Sequence, residues 1–300
     1  MNCSLAFETR IGTRLVNQDR VGHWRTGHSL LMVVADGLGG HLRGELAAQI
    51  TVDYFGASFG RDAQPVLEHP QQFLYRTLVG AHAAILRAAD ELGMPDVPRT
   101  VVVACVVQDG HAYWAHIGDC RLYLVRQGRV MVQTRDHTVV QHLLDSGRIH
   151  EEAASTHPER NRILQCLGGY QPPRPDPIVK ARLARDDLLL LCSDGLWGPL
   201  TQRQLVHSLS TLPLRQALGE LTQLAEQRAG PQCDNVSVLA MCWGEDELAA
   251  PDAPETIAAC EQPDDVYDFS APEPDYLRMS DADIEKAIAE IKAALRKTPQ

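Results

Sequence analysis

Residues 29–41 read S-L-L-M-V-V-A-D-G-L-G-G-H, an apolar run that ends at Asp36 and continues into a glycine-rich bend. The apolar and β-branched run predicts a buried strand over Ser29–Ala35. An ordinary Asp-Gly pair turns the chain back into a second strand. Here the bend leads into a helical pattern over Leu42–Phe59, and its glycines allow the backbone to approach a ligand closely. The sequence around Asp36 is therefore less typical of an ordinary turn than the sequence around the other aspartates of the chain.

The rest of residues 1–243 alternates short β-branched runs with longer helical patterns. Further strands are predicted over Thr100–Val107, His111–Ile117, Arg121–Val125, Asp187–Cys192 and Asn235–Trp243. Further helices are predicted over Pro70–Leu92, Thr201–Ser210 and Pro213–Ala229. Asp109-Gly110 joins two of these strands at hairpin spacing, so part of the sheet is expected to be antiparallel. Clustered strands flanked by long helices favour a layered α+β fold over a regular βαβ succession.

The composition is that of a globular protein with little attraction for polyanions. The 300 residues are 44% hydrophobic and 22% charged, with a formal net charge of −11. This acidic balance argues against binding to nucleic acid or to an anionic membrane. No apolar run reaches the ~18–20 residues of a membrane helix, and the N-terminus lacks a secretory pattern. Eight cysteines without C-x-x-C spacing predict reduced thiols in a cytoplasmic protein.

The acidity is concentrated in the C-terminal tail. Residues 244–300 contain 15 acidic and 5 basic residues, and residues 244–279 also hold five prolines. This composition predicts a disordered linker over 244–279, after a single domain over 1–243. Ser280 resembles a helix N-cap, and isoleucines and a leucine follow at helical spacing, which predicts an amphipathic helix over 280–297. Docking of this helix on the chain's own core and binding to a partner are equally compatible with the pattern.

Several common catalytic motifs are missing from the sequence. None of the four lysines (Lys180, Lys286, Lys292 and Lys297) follows a glycine, so the Gly-Lys pair of a phosphate-binding loop is lacking. Leu42 stands where a dinucleotide-binding motif needs its third glycine. There is no H-E-x-x-H, and Leu191 replaces the first glycine of a nucleophile elbow around Ser193. These features argue against kinases, dehydrogenases, zincins and serine hydrolases.

Aspartates recur at the ends of the predicted strands. Asp36, Asp119 and Asp194 each follow a strand, Asp234 directly precedes one, and Asp19 lies further upstream. Taken singly, each is compatible with an ordinary turn residue. Carboxylates brought together repel one another unless cations neutralise them, and ligation by oxygen alone favours Mg²⁺ or Mn²⁺ over zinc. Sequence spacing alone leaves open whether these positions converge.

Five motifs in order resemble the metal-dependent protein phosphatases of type 2C, in their bacterial form. The resemblance covers residues 3–243 and rests on Arg14 with Asn17-Gln18-Asp19, Val34–His41, Ile117–Arg121, Ser193–Leu196 and Asp234–Val238. It implies a four-layer α/β/β/α sandwich with two central, mainly antiparallel sheets. It also implies hydrolysis of phosphoserine and phosphothreonine in proteins, with substrates that a bacterial serine/threonine kinase phosphorylates.

The resemblance assigns roles to individual residues. Asp36 is implied to bridge two Mn²⁺ or Mg²⁺ ions that share a reactive water, with the Gly37 carbonyl on one of them. Further metal ligands are implied at Asp194 and Asp234 for one ion and at Asp19 for the other. Asp119 is implied for a third, weaker ion, to which Asp194 can also contribute. Arg14 is implied to hold the phosphate. His41 is the candidate general acid, since histidine titrates near neutral pH.

The sequence departs from the family pattern at two places. Pro98-Arg99-Thr100 replaces a Gly-Thr/Ser-Thr segment, which is expected to alter the start of a strand and not the metals. Cys120 replaces the usual serine after Asp119. The alternative function is a non-catalytic phosphoprotein-binding or regulatory module of the same fold, recruited through the C-terminal helix. The complete set of aspartates speaks against that alternative.

Overall fold

Two antiparallel sheets form the centre of the computed structural model, which describes residues 1–38, 43–154 and 157–244. One five-stranded sheet has the order β1-β10-β9-β6-β7, formed by β1 (Cys3–Arg10), β6 (Arg121–Arg126), β7 (Arg129–Gln133), β9 (Leu188–Cys192) and β10 (Val236–Trp243). The other has the order β2-β3-β4-β5-β8, formed by β2 (Asp19–Arg25), β3 (Ser29–Gly37), β4 (Thr100–Gln108), β5 (His111–Ile117) and β8 (Val179–Arg182).

Helices cover the outer face of each sheet. The long ones are α1 (Gly44–Asp62), α2 (Pro70–Glu91) and α7 (Leu214–Ala229), and the shorter ones are α3 (Val139–Asp145), α4 (Glu151–Ala154), α5 (Asp194–Trp197) and α6 (Gln202–Thr211). α1 and α2 pack on the sheet that contains β3, whereas α5, α6 and α7 pack on the sheet that contains β9. The layers are therefore α/β/β/α, which confirms the predicted fold class.

Successive side chains of β3 point to opposite faces of its sheet, and both faces are buried, which explains why its sequence is continuously apolar. Leu31 and Val33 face the layer of α1 and α2, whereas Leu30, Met32 and Val34 face the opposite sheet. A strand that is buried on both faces needs apolar side chains at every position. This two-sided burial makes β3 easy to find in the sequence, and β4 is likewise buried along its whole length.

The predicted elements are present, with ends shifted by up to three residues. Asp109 and Gly110 have φ angles of 51° and 69° in the turn between β4 and β5, as a type I′ hairpin requires. The prediction over Asp187–Cys192 was wrong at its first residue: β9 begins at Leu188, and the buried carboxylate of Asp187 pairs with Arg126. The prediction over Leu42–Phe59 corresponds to α1, although Leu42 lies outside the described residues.

Four strands and three short helices were not predicted. β1, β2, β7 and β8 are short or half-exposed strands with mixed polar sequences, so their apolar pattern is weak. The tail predictions, a linker over 244–279 and a helix over 280–297, lie outside the described residues except for Gly244. Within the ranges that the structure describes, no helix is both long and apolar enough to cross a bilayer.

Two helical glycines give opposite stability predictions for the same substitution. In Gly80→Ala on α2, the new methyl group would collide with the buried Tyr54 ring of α1, and we expect the free energy of unfolding to fall by about 1–3 kcal/mol. In Gly219→Ala on α7, the methyl group meets nothing within 4 Å, and the free energy should rise by about 0.5–1 kcal/mol. Urea denaturation measures both. Equal effects at the two positions would contradict the close packing of α1 on α2.

Candidate metal centre

The register of β2 and β3 places two aspartates directly opposite each other. Asp19 is the first residue of β2 and pairs with Asp36 near the end of β3. Val21 and Val34, each two residues along its strand, lie in the core between the sheets. Because side chains two residues apart share a face, both carboxylates point into the space between the two sheets. Opposite side chains on such a pair lie about 5 Å apart at Cβ.

The opposite sheet and the connections between the sheets bring in three more aspartates. Asp194 is the first residue of α5 and lies two residues after the end of β9, and Asp234 lies two residues before β10. Asp119 lies in the turn between β5 of one sheet and β6 of the other. We call these five residues, Asp19, Asp36, Asp119, Asp194 and Asp234, the aspartate cluster.

The register and the hydrogen bond from Ser193 to Asp19 bring ends of both sheets together, and the charges of the five carboxylates act on one another accordingly. Burial raises the pKa of Asp36 well above its ordinary value, and the charges of Asp19, Asp194, Asp119 and Asp234 raise it further. Burial, followed by the charges of Asp119 and Asp234, likewise raises the pKa of Asp194. Burial raises the pKa of Asp19 to about 6 and, with the charge of Asp136, that of Asp119 to about 7.

These residues suit hard divalent cations. Asp19 Oδ2 accepts a hydrogen bond from Ser193 Oγ at 2.7 Å, but no partner among the described residues reaches its other buried oxygen, Oδ1. A buried carboxylate oxygen without a donor is unfavourable, and the crowded carboxylates raise one another's pKa. Cations ligated by oxygen would relieve both, and carboxylates with a backbone carbonyl are the ligands that Mg²⁺ and Mn²⁺ prefer.

Arg14 brings a positive charge to the edge of the cluster. Its Nη2 donates to Asp234 Oδ2 at 2.6 Å, and half of the side chain is exposed. The hydrogen bond to Asp234 and the charge of that residue raise the pKa of Arg14, and the charges of Asp194 and Asp36 add to the effect. The guanidinium is therefore both charged and accessible from solvent.

Asn235 fixes the loop that carries Arg14, a role that its sequence motif did not predict. Its Nδ2 donates to the carbonyl oxygens of Ile11 and Val16 at 2.9 and 3.1 Å. Its Oδ1 accepts from the backbone N–H of Gln18 at 2.8 Å. One amide thus ties both ends of the loop to the residue that follows Asp234. Its place beside a predicted ligand is the sequence feature that could have identified it.

Gly37 and Thr100 shape the backbone beside Asp36. A side chain at Gly37 would collide with the backbone of Gly44, and the Gly37 N–H donates to the Gln18 carbonyl at 3.1 Å. Thr100 Oγ1 donates to the Asp36 carbonyl at 2.6 Å. The departure from the family pattern at 98–100 therefore lies at the start of β4, next to the backbone of Asp36.

The structure leaves one predicted catalytic residue unplaced. His41 lies in the segment 39–42, outside the described residues, so its assignment as general acid stays a prediction. The six predicted metal-binding positions lie together: they are the five residues of the aspartate cluster and Gly37, the neighbour of Asp36.

A second group of potential ligands lies outside the cluster. Ligand atoms of His116, His137 and Asp176 are within 4.8 Å of one another. The two imidazole rings are stacked with centroids 4.5 Å apart, so their in-plane lone pairs do not converge on one point. His137 Nδ1 accepts from Gly118 N at 3.2 Å, which assigns the proton of the neutral ring to Nε2, facing Asp176 Oδ2 at 3.4 Å. This group is an imidazole–carboxylate contact rather than a metal site.

Comparisons with known proteins agree with this geometry. A family model described as Protein phosphatase 2C matches residues 8–232. A putative protein phosphatase 2C-type of Streptococcus pyogenes is 32% identical over 240 residues, 78% of this chain and 95% of that protein. The serine/threonine protein phosphatase PstP of Mycobacterium tuberculosis is 34% identical over 213 residues, which cover 70% of this chain and 39% of PstP. The crystal structure of a PstP catalytic domain with two manganese ions has a TM-score of 0.67 and 28% identity, covering 80% of this chain and 97% of that one.

The raised pKa values predict an unusual pH dependence for the metal-free protein. Asp119 and Asp19 have pKa values of about 7 and 6 when folded and about 4 when unfolded. Between about pH 4 and pH 7 the folded state therefore binds more protons, and this contribution to stability falls as the pH rises. With chelator present, we expect Asp119→Asn to raise the melting temperature at pH 8 and to raise it much less at pH 5. Calorimetry at both pH values tests this, and a lower melting temperature for the variant at pH 8 would contradict it.

Proposed function

The chain belongs to the protein phosphatase 2C family, and from this premise we propose that it hydrolyses phosphoserine and phosphothreonine in proteins at the aspartate cluster. Its cofactors are Mn²⁺ or Mg²⁺, and its substrates are proteins phosphorylated by a bacterial serine/threonine kinase. The observation that carries the proposal is the convergence of five carboxylates from both sheets, of which Asp19 and Asp119 are buried, with one accessible arginine at their edge.

We assign the metal-binding positions by the family resemblance. Asp36 would contact two ions, and the Gly37 carbonyl would be a further ligand of one of them. Asp194 and Asp234 would hold one ion and Asp19 the other, while Asp119, together with Asp194, would hold a third. When bound, divalent ions lower the pKa of water toward neutrality and neutralise charge on the phosphoryl group. The buried Oδ1 of Asp19 supports this assignment. It accepts no hydrogen bond from the described residues and therefore needs an electropositive partner.

Arg14 is suited to binding the phosphate. Its planar guanidinium can donate two parallel hydrogen bonds to phosphate oxygens, which lysine cannot do. The Asn235 amide holds both ends of its loop, so little backbone entropy is lost on binding. The contact with Asp234 keeps the guanidinium at the edge of the cluster before substrate arrives.

The departing serine or threonine oxygen needs a proton, and His41 is our candidate for this role. An alkoxide is a poor leaving group at neutral pH, and an imidazole titrates close to that pH. The position of His41, five residues after Asp36 in sequence, supports the assignment. The non-catalytic alternative is less well supported, since a binding module would gain nothing from mutually repelling buried carboxylates.

Asp36→Asn is expected to abolish turnover. The wild-type chain should hydrolyse a phosphothreonine peptide with Mn²⁺ and stop with chelator, and the variant should lose at least about 10³-fold in kcat. The matched control is Asp109→Asn, since Asp109 also precedes a glycine but lies in the β4–β5 turn, where asparagine is equally well tolerated. An inactive wild type with Mn²⁺, or turnover that survives chelator, would rule out the proposal.

Arg14→Lys is expected to weaken phosphate binding without removing the positive charge. Loss of the two-pronged contact should lower kcat/KM for the phosphopeptide by about 10- to 100-fold, since hydrogen bonds to charged groups contribute about 1.5–3 kcal/mol. Arg203→Lys, an exposed arginine on α6, is the control and should behave as wild type. Steady-state kinetics at saturating Mn²⁺ measures both, and unchanged kinetics for Arg14→Lys would remove Arg14 from the site.

A further inference from the structure

A short helix connects two members of the aspartate cluster. α5 spans four residues, beginning at Asp194 and ending at Trp197. The indole Nε1 of Trp197 donates to the backbone carbonyl of Asp119 at 3.0 Å. One end of α5 thus carries a carboxylate of the cluster, and the other end holds the backbone of a second one.

The Trp197 ring is itself held in place by Arg121. The guanidinium carbon of Arg121 lies 3.4 Å from the centre of the indole ring. The same guanidinium donates from Nε and Nη2 to the two carboxylate oxygens of Asp136 at 2.8 and 2.7 Å, and from Nη1 to the Tyr123 hydroxyl at 3.2 Å. Arg121 and Asp136 expose only 18% and 8% of their side chains. A guanidinium that stacks on a ring and also donates two hydrogen bonds to one carboxylate is held rigidly when both groups are largely shielded from water.

His137 holds the other side of the Asp119 turn. Its backbone N–H donates to the Gly118 carbonyl at 2.8 Å, and its Nδ1 accepts from the Gly118 N–H at 3.2 Å. Gly118 has a φ of 95°, and a side chain there would collide with Val101. Because His137 directly follows Asp136, the segment that pairs with Arg121 also fixes the residue before Asp119.

The contacts of Trp197, Arg121 and His137 around the Asp119 turn act against electrostatic repulsion within the cluster. Asp119 and Asp194 belong to the same aspartate cluster, and α5 links them through the hydrogen bond from Trp197. In a cluster without cations the two carboxylates repel each other, and a shift of the turn around Asp119 would relieve this repulsion. The hydrogen bond from Trp197 opposes this shift at the backbone, independently of any ligand.

We propose that Trp197 and Arg121 are positioning residues that hold Asp119 beside Asp194 and thereby set the affinity of this pair for a divalent ion. The inference rests on the proposed function, in which Asp119 serves an ion separate from the two at Asp36. A preorganised pair of ligands binds an ion more tightly than a pair in which one ligand must first be ordered. Neither residue touches the ion or the substrate.

The test is Mn²⁺ binding to the full chain, followed by the electron paramagnetic resonance signal of free Mn²⁺ at pH 7.5. Trp197→Phe removes the indole N–H and keeps a ring under Arg121. We expect the weakest-bound Mn²⁺ to lose about five- to tenfold in affinity, as loss of one hydrogen bond implies, while the tighter ions are unchanged. Arg121→Lys keeps the charge, loses the planar stacking and the paired contact, and should shift the same ion in the same direction.

Matched variants distinguish the positioning of Asp119 from a general loss of structure. Trp243→Phe makes the same change at the far end of β10 and should leave every Mn²⁺ affinity unchanged. Asp119→Asn should abolish the weak site altogether. Equal weakening of all ions by Trp197→Phe, or no weakening by both Trp197→Phe and Arg121→Lys, overturns the inference. Two bound ions in the wild type and no third would overturn it, together with the third-ion assignment, while leaving the proposed hydrolysis at Asp36 intact. No bound ion would overturn the proposed hydrolysis itself.

Discussion

Repulsion among buried carboxylates is the constraint on which the rest of this molecule depends. Asp19, Asp36, Asp119 and Asp194 all have pKa values above the ordinary range, with burial as the main cause. Like charges in a poorly solvated site separate unless the backbone holds them or cations neutralise them. The fold must therefore supply enough packing elsewhere to keep an unfavourable arrangement in place.

The two-sheet architecture provides that packing. The sheets share one apolar core, and each is also packed against helices on its outer face. Hydrogen bonds then join the sheets at the end where the aspartates meet: Ser193 donates to Asp19 across the gap, and Asn235 accepts from Gln18. Because these contacts tie strand ends of both sheets, the aspartates cannot relax apart without disturbing the layers behind them.

The same charges govern what the site can bind. Five carboxylates with one arginine repel a phosphate monoester, which is a dianion near neutral pH. Under the proposed function, divalent ions would reverse the sign of this local field and so favour the entry of a phosphate as well as its hydrolysis. Arg14 is affected by whether ions are bound, because the carboxylate of Asp234 that it contacts is also an assigned metal ligand.

The sequence by itself determined the elements that are buried on both faces, and it predicted which aspartates would come together. β3 and β4 are found easily because every position is apolar, and the aspartates are found because their motifs resemble those of a family. Strand ends and half-exposed strands such as β2 escaped prediction, since a mixed polar pattern resembles a loop. Only the tertiary structure decided that Asp19 faces Asp36, that Asn235 fixes the Arg14 loop, and that Trp197 holds Asp119. These are contacts between residues far apart in the chain, and their partners are set by how the two sheets pack, which no local pattern encodes.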